Sequence, residues 1–84
     1  MPDIRSPIRH HVVLYRRDPE QGRARYYSLM IERDLFGTIR LVHNWGQVGS
    51  KGQEKVELFP DEAEATQALE AWATIQRQKG YADL

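Results

Sequence analysis

The chain holds 84 residues, with twelve Lys/Arg against twelve Asp/Glu and no cysteine, so one small domain is expected and disulfides and thiolate metal sites are excluded. Its hydrophobic fraction of 40% suits a folded domain, but no run approaches the ~18 apolar residues of a transmembrane helix, and Met1–Arg5 lacks the apolar stretch of a signal peptide. The expectation is a cytoplasmic module with no membrane partner and no cofactor.

Taken in chain order, residues 1–8 contain Pro2 and Pro7 and no periodic pattern, and read as a flexible leader to a domain over residues 9–84. His10–Arg16 is rich in β-formers and reads as a strand. Asp18-Pro19-Glu20-Gln21-Gly22 has Pro and Gly in turn positions. Arg23–Glu32 reads as a second strand, with Tyr27, Leu29 and Ile31 on one face and Tyr26, Ser28 and Met30 on the other. Apolar groups on both faces suit a central strand. Asp34-Leu35-Phe36-Gly37 reads as a turn whose apolar residues plug the sheet edge.

Thr38–Trp45 is the third predicted strand, its faces being Ile39, Leu41, His43 and Trp45 against Thr38, Arg40, Val42 and Asn44. A glycine-rich turn follows, and Glu54–Phe59 alternates as a fourth strand. The connections are too short for helical crossovers, so the strand pairs are antiparallel. Asp61 is a good N-cap, with Glu64 three residues on. Ala65, Ala68, Leu69, Trp72 and Ile75 fall at helical spacing. Arg77 and Lys79 suit the negative end of the helix dipole, and Gly80 is a natural stop. Such a helix must cover one face of a sheet. The fold expected is α+β: a single antiparallel sheet of four to five strands with one amphipathic C-terminal helix.

The segment Trp45-Gly46-Gln47-Val48-Gly49-Ser50-Lys51-Gly52-Gln53 is the most informative. A tryptophan held on a glycine turn presents a flat apolar face from a defined backbone, which suits stacking on a base or sugar and equally suits closing a core. Gly46, Gly49 and Gly52 either cradle a phosphate with backbone N–H groups or build a β-turn, the latter favoured because no helix N-terminus follows. Arg16-Arg17 and Arg23/Arg25 flank the first turn, as a phosphate-contacting rim or a solvated surface. His10, His11 and His43 do not make a metal site, since adjacent strand residues face opposite ways. No catalytic motif is present.

Several segments resemble the WGR domain, a family named for its Trp-Gly-Arg signature: Arg25-Tyr26-Tyr27-Ser28-Leu29, Leu35-Phe36-Gly37, Leu41-Val42 leading to Trp45-Gly46-Gln47-Val48-Gly49, then Gly52-Gln53, Phe59, Ala65 and Lys79-Gly80-Tyr81. The resemblance spans roughly Val12 to Tyr81 and is closest to stand-alone bacterial members. It implies one antiparallel sheet with one packed helix, and a binding role. In poly(ADP-ribose) polymerases the domain helps recognise DNA ends, Trp45 corresponding to the tryptophan that packs against nucleic acid. Three positions depart from the family pattern. Gln47 replaces the signature arginine and loses its charge and planar fork. Asn44 stands where a basic residue is frequent, and the helix end is diluted to Gln76-Arg77-Gln78-Lys79.

The charge is uneven: residues 1–59 carry ten Lys/Arg against seven Asp/Glu, and residues 60–84 carry two against five. A mildly basic half permits nucleic acid as a partner without demanding it. The expected function is a small non-catalytic module that binds nucleic acid weakly through Trp45, Gly46, Gln47, Lys51, Arg40, Arg25, Arg23 and Lys79. The alternative is a protein-interaction or scaffolding module that docks another protein through the Trp45 turn. A monomer or weak homodimer is expected in either case.

Overall fold

A computed structural model of the chain describes residues 10–18 and 22–84. The predicted leader over residues 1–8 and the middle of the Asp18–Gly22 turn lie outside the described residues. The elements are β1 (His11–Asp18), β2 (Arg23–Arg33), β3 (Ile39–Gln47), β4 (Gln53–Phe59), α1 (Glu62–Gln78) and β5 (Ala82–Asp83). The strands form one antiparallel sheet in the order β4-β3-β2-β1-β5. The fold is therefore α+β, with β2 in the middle of the sheet as its two-faced apolar pattern predicts. β3 runs two residues further than expected, and this carries Gln47 out of the turn and into the ladder opposite Arg25.

Pleating sorts the residues onto two faces. Leu14, Leu29, Ile31, Ile39 and Leu41 point to one side, where α1 covers them with Ala65, Leu69 and Ala73. Val12, Tyr27, Phe59, Ala68, Trp72 and Tyr81 pack around that centre. The other side has no helix. There Val42 is buried, and Arg40 pairs with Glu32 at 3.3 Å.

The helix begins as predicted: the Asp61 carboxylate accepts from Glu64 N–H at 2.8 Å. It ends in a Schellman turn. Gly80 N–H donates to Arg77 O and Tyr81 N–H to Gln76 O, both at 3.1 Å, with Gly80 at φ 100° where a side chain would be strained. Two expectations are corrected. Ile75 is 39% exposed, and Gln76, at 5%, lies on the buried side instead. At 3.6 residues per turn Ile75 falls about 80° from Ala65, on the side away from Ala73. Trp72 is only partly buried, and the buried line runs through Ala65, Leu69, Ala73 and Gln76.

Leu35 and Phe36 are 99% and 92% exposed, so they do not plug the sheet edge. The Asp34 carboxylate accepts from Phe36 N–H and Thr38 N–H at 2.9 Å, and Gly37 N–H donates to Asp34 O at 3.1 Å. Hydrogen bonds hold this turn, and its apolar side chains are left in water at the tip.

Candidate functional site

The site lies on the helix-covered side, at the end of the sheet where α1 finishes. Antiparallel register places Trp45 directly opposite Tyr27. The two rings stack with centroids 5.8 Å apart and planes inclined by 15°. Tyr27 also takes Tyr81 edge-on at 6.4 Å. The Schellman turn delivers Tyr81 to that position. Arg77 fixes it from the other side by donating to both carboxylate oxygens of Asp83 in β5, at 2.8 and 2.9 Å. That hydrogen bond holds the Asp83 carboxyl below its usual range, and it commits Arg77 to the fold.

A polar chain runs beneath the stack. His43 is fully buried on the face it shares with Trp45. Its Nε2 lies 2.7 Å from Glu57 Oε1, and its Nδ1 lies 2.9 Å from the Tyr27 hydroxyl. A carboxylate only accepts, so the His43 tautomer that satisfies both contacts has its proton on Nε2 and takes the Tyr27 O–H at Nδ1. Trp72 meets the His43 ring edge-on at 5.2 Å, and the Lys55 ammonium sits 5.5 Å from the Trp72 ring centroid. Glu57, His43 and Tyr27 therefore lock the plane on which Trp45 rests.

Burial first, then the Glu57 charge, then Tyr81 raise the Tyr27 phenol above the ordinary 10.0. The phenol therefore stays protonated and able to donate. The associated stability is fully present below pH 10.0 and is lost as pH climbs through the higher folded value. In Tyr27→Phe the alkaline loss of stability should flatten, at a cost of about 1–2 kcal/mol at neutral pH for the unmade bond to His43. Urea midpoints measured from neutral to alkaline pH check this; an unchanged alkaline slope would contradict it.

Beside the stack is a shallow hollow of about 260 Å³ lined by Arg25, Trp45, Gly46, Gln47, Gln53 and Tyr81. Trp45 is half-buried and forms one wall. Across the sheet Arg16 pairs in register with Arg25, and Arg25 with Gln47, a row on one face of β1, β2 and β3. The uncharged Gln47 thus has a guanidinium beside it on the next strand.

The glycine turn is closed on itself. Ser50 N–H and Ser50 Oγ–H both donate to Gln47 O, at 3.0 and 2.7 Å. Val48 N–H donates to Ala24 O at 2.9 Å. Gly52 has φ 74°, and a Cβ there would collide with the Tyr26 hydroxyl and lie 2.8 Å from Trp45 O. A Cβ on Gly46 would lie 2.8 Å from Gly52 Cα. Gly46 and Gly52 thus serve close backbone approach, as the turn reading expects.

The predicted site residues divide. Trp45, Gly46, Gln47 and Arg25 line one hollow. Arg23 lies two residues beyond Arg25 at the start of β2, opposite Asp18. Lys51 is exposed on the glycine turn and Lys79 caps the helix; both are at this end of the domain but outside the hollow. Arg40 lies away from the hollow. It sits on the helix-free face near the other end of β3, paired with Glu32, because residues five apart on a strand face opposite ways. Tyr27, Gln53 and Tyr81 were not among the predicted binding residues, and cross-strand register brings the first two into place, as it brings Arg16, weighed above as a rim residue, beside Arg25. Among the described residues no group of His, Asp and Glu could hold a metal ion, and no helix is long and apolar enough to cross a membrane.

The family model of the WGR domain matches residues 10–84. An uncharacterized protein of Sinorhizobium fredii, y4dW, is 40% identical over 78 residues. The match covers 93% of this chain, but the chain spans only 37% of that relative's length. No solved structure gives a significant match.

Proposed function

Because the chain belongs to the WGR domain family, we propose that it is a non-catalytic module that binds nucleic acid at the end of the sheet carrying Trp45. In poly(ADP-ribose) polymerases the WGR domain is a nucleic-acid-binding module. One observation carries the reading to this chain: the Trp45 ring, backed by Tyr27, shares a hollow with the Arg25 guanidinium. An aromatic face accepts a base or sugar from any sequence, and a guanidinium gives a phosphate two parallel hydrogen bonds. Arg25 supplies the cation that Gln47 lacks. Arg16, Lys51 and Lys79 surround the hollow with exposed positive charge.

The roles differ by chemistry. Arg25 and Arg16 contact phosphate, which sets position. Trp45 takes a base or terminal sugar by stacking, and Gln47 and Gln53 offer neutral hydrogen bonds to the same group. None of these contacts reads a base edge in a groove, so sequence preference is weak.

With about two to four phosphate contacts, log affinity should fall with log salt at a slope of roughly 0.7–0.9 per contact. Fluorescence anisotropy on blunt duplexes, single strands and RNA across a salt series measures this. Arg25→Ala should reduce the slope by about one contact. No binding at low salt to any of these probes, or binding that ignores salt, would end the proposal.

A further inference from the structure

The two outer edges of the sheet differ. On the β1 side, β5 pairs Ala82 with Tyr15 and Asp83 with Leu14, and Leu84 N–H donates to Val13 O at 3.1 Å. On the other side β4 has β3 as its neighbour and, among the described residues, no strand beyond it. Its pairing with β3 is continuous from Gln53 to Phe59, with no bulge. It contains no Pro or Gly. A regular edge strand presents backbone donors and acceptors on its outer side and is a template for another strand.

We propose that β4 pairs with β4 of a second copy of this chain, antiparallel about a two-fold axis through Val56. The side chains carry the choice of partner. A two-fold axis normal to the sheet maps each face onto itself, so it must pass through a residue of the strand. Through Glu54, Lys55 or Glu57 the axis would set like charges opposite each other. Through Leu58 it would bring Pro60 into the ladder. Through Val56 it sets Lys55 opposite Glu57 of the second copy, and Glu57 opposite its Lys55. Val56 then meets Val56, with Leu58 diagonal to it on the helix-free face. These two apolar side chains are 38% and 66% exposed in the single chain.

Charged edge residues ordinarily blunt an edge. Here their signs are arranged so that the same strand, reversed, satisfies both. The charges are also held in place beforehand: Lys55 lies 5.5 Å from the Trp72 ring centroid, and Glu57 bonds His43 through Oε1, leaving its other oxygen for the second copy. The product is a continuous ten-stranded sheet with both helices on one side and the two Trp45 turns at opposite ends. The pairing does not depend on the nucleic-acid reading.

Analytical ultracentrifugation of the full chain over a wide concentration series tests it. A reversible monomer–dimer equilibrium is expected. Lys55→Glu and Glu57→Lys each turn both attractive contacts repulsive, and each should weaken self-association about tenfold. An equimolar mixture of the two variants should recover wild-type affinity as a heterodimer, since the introduced carboxylate faces the introduced amine. Glu57 also bonds His43, so circular dichroism verifies each fold. Leu58→Glu, which leaves that bond intact and sets a carboxylate opposite Glu54 of the second copy, should weaken the dimer too. A wild type that stays monomeric at the highest concentration would leave the edge to an extended segment of another protein and overturn the proposal. So would a dimer indifferent to Lys55→Glu, or a mixture that associates no more tightly than either folded variant alone.

Discussion

Replacing Trp72 with alanine should lower the stability of the domain by about 3 kcal/mol, the lower end for truncating a large core aromatic, because Trp72 is partly rather than fully buried. The loss is concentrated where it matters. Trp72 packs on the edge of His43 and beneath Lys55, so its removal opens the buried bond between His43 and Glu57 to water. A domain of this length has a total stability of roughly 4–13 kcal/mol, and the melting temperature should drop by about 12–24 °C. Ile75→Ala, on the same helix but on its exposed flank, should cost less than about 1 kcal/mol. Paired urea and thermal melts of the two variants decide whether the helix sits as described. Equal costs would mean that it is rotated.

Trp45→Ala should weaken nucleic-acid binding by about 1–3 kcal/mol, or roughly 5- to 150-fold. The mechanism is loss of the stacking face, with Arg25 and its phosphate contact retained, so the salt slope should stay nearly unchanged while the affinity falls. That combination separates stacking from charge. Gln47→Arg is the counterpart: it adds a second guanidinium beside Arg25 and should raise affinity by ~1 kcal/mol, about fivefold, after screening by solvent and salt. The gain should vanish as salt rises and should shrink in the Trp45→Ala background. Anisotropy titrations at two salt concentrations measure all four proteins. A folded Trp45→Ala that binds like wild type would remove the tryptophan from the interface.

The elements were legible because each has its own period. The alternation in β2 and β3, the Asp61 cap and the Gly80 stop all fell where local chemistry placed them. What the sequence withheld was set by tertiary contact. Nothing local tells Ile75 from Gln76, since which flank of α1 meets the sheet depends on how the helix lies over β2 and β3. Leu35 and Phe36 read as buried because they are apolar, but the Asp34 carboxylate makes their turn with hydrogen bonds alone. The hollow around Trp45 was half legible. Trp45, Gly46 and Gln47 are contiguous, whereas Arg25, Gln53 and Tyr81 join them only through register and the helix-ending turn. Arg40 was separable from the start, because strand alternation puts it on the face opposite Trp45. The chain from Glu57 through His43 to Tyr27 needs three strands in register, and no window of sequence contains it.

The position of α1 in the chain has a consequence for synthesis. Four long strands emerge from the ribosome before the helix, yet Leu14, Leu29, Ile31 and Leu41 are covered only by Ala65, Leu69 and Ala73. At roughly 5–20 residues per second, the apolar side of the sheet waits a second or more for its cover. During that interval it is a surface for chaperones and for other nascent chains, and it becomes a core only when α1 lays Ala65, Leu69 and Ala73 over it.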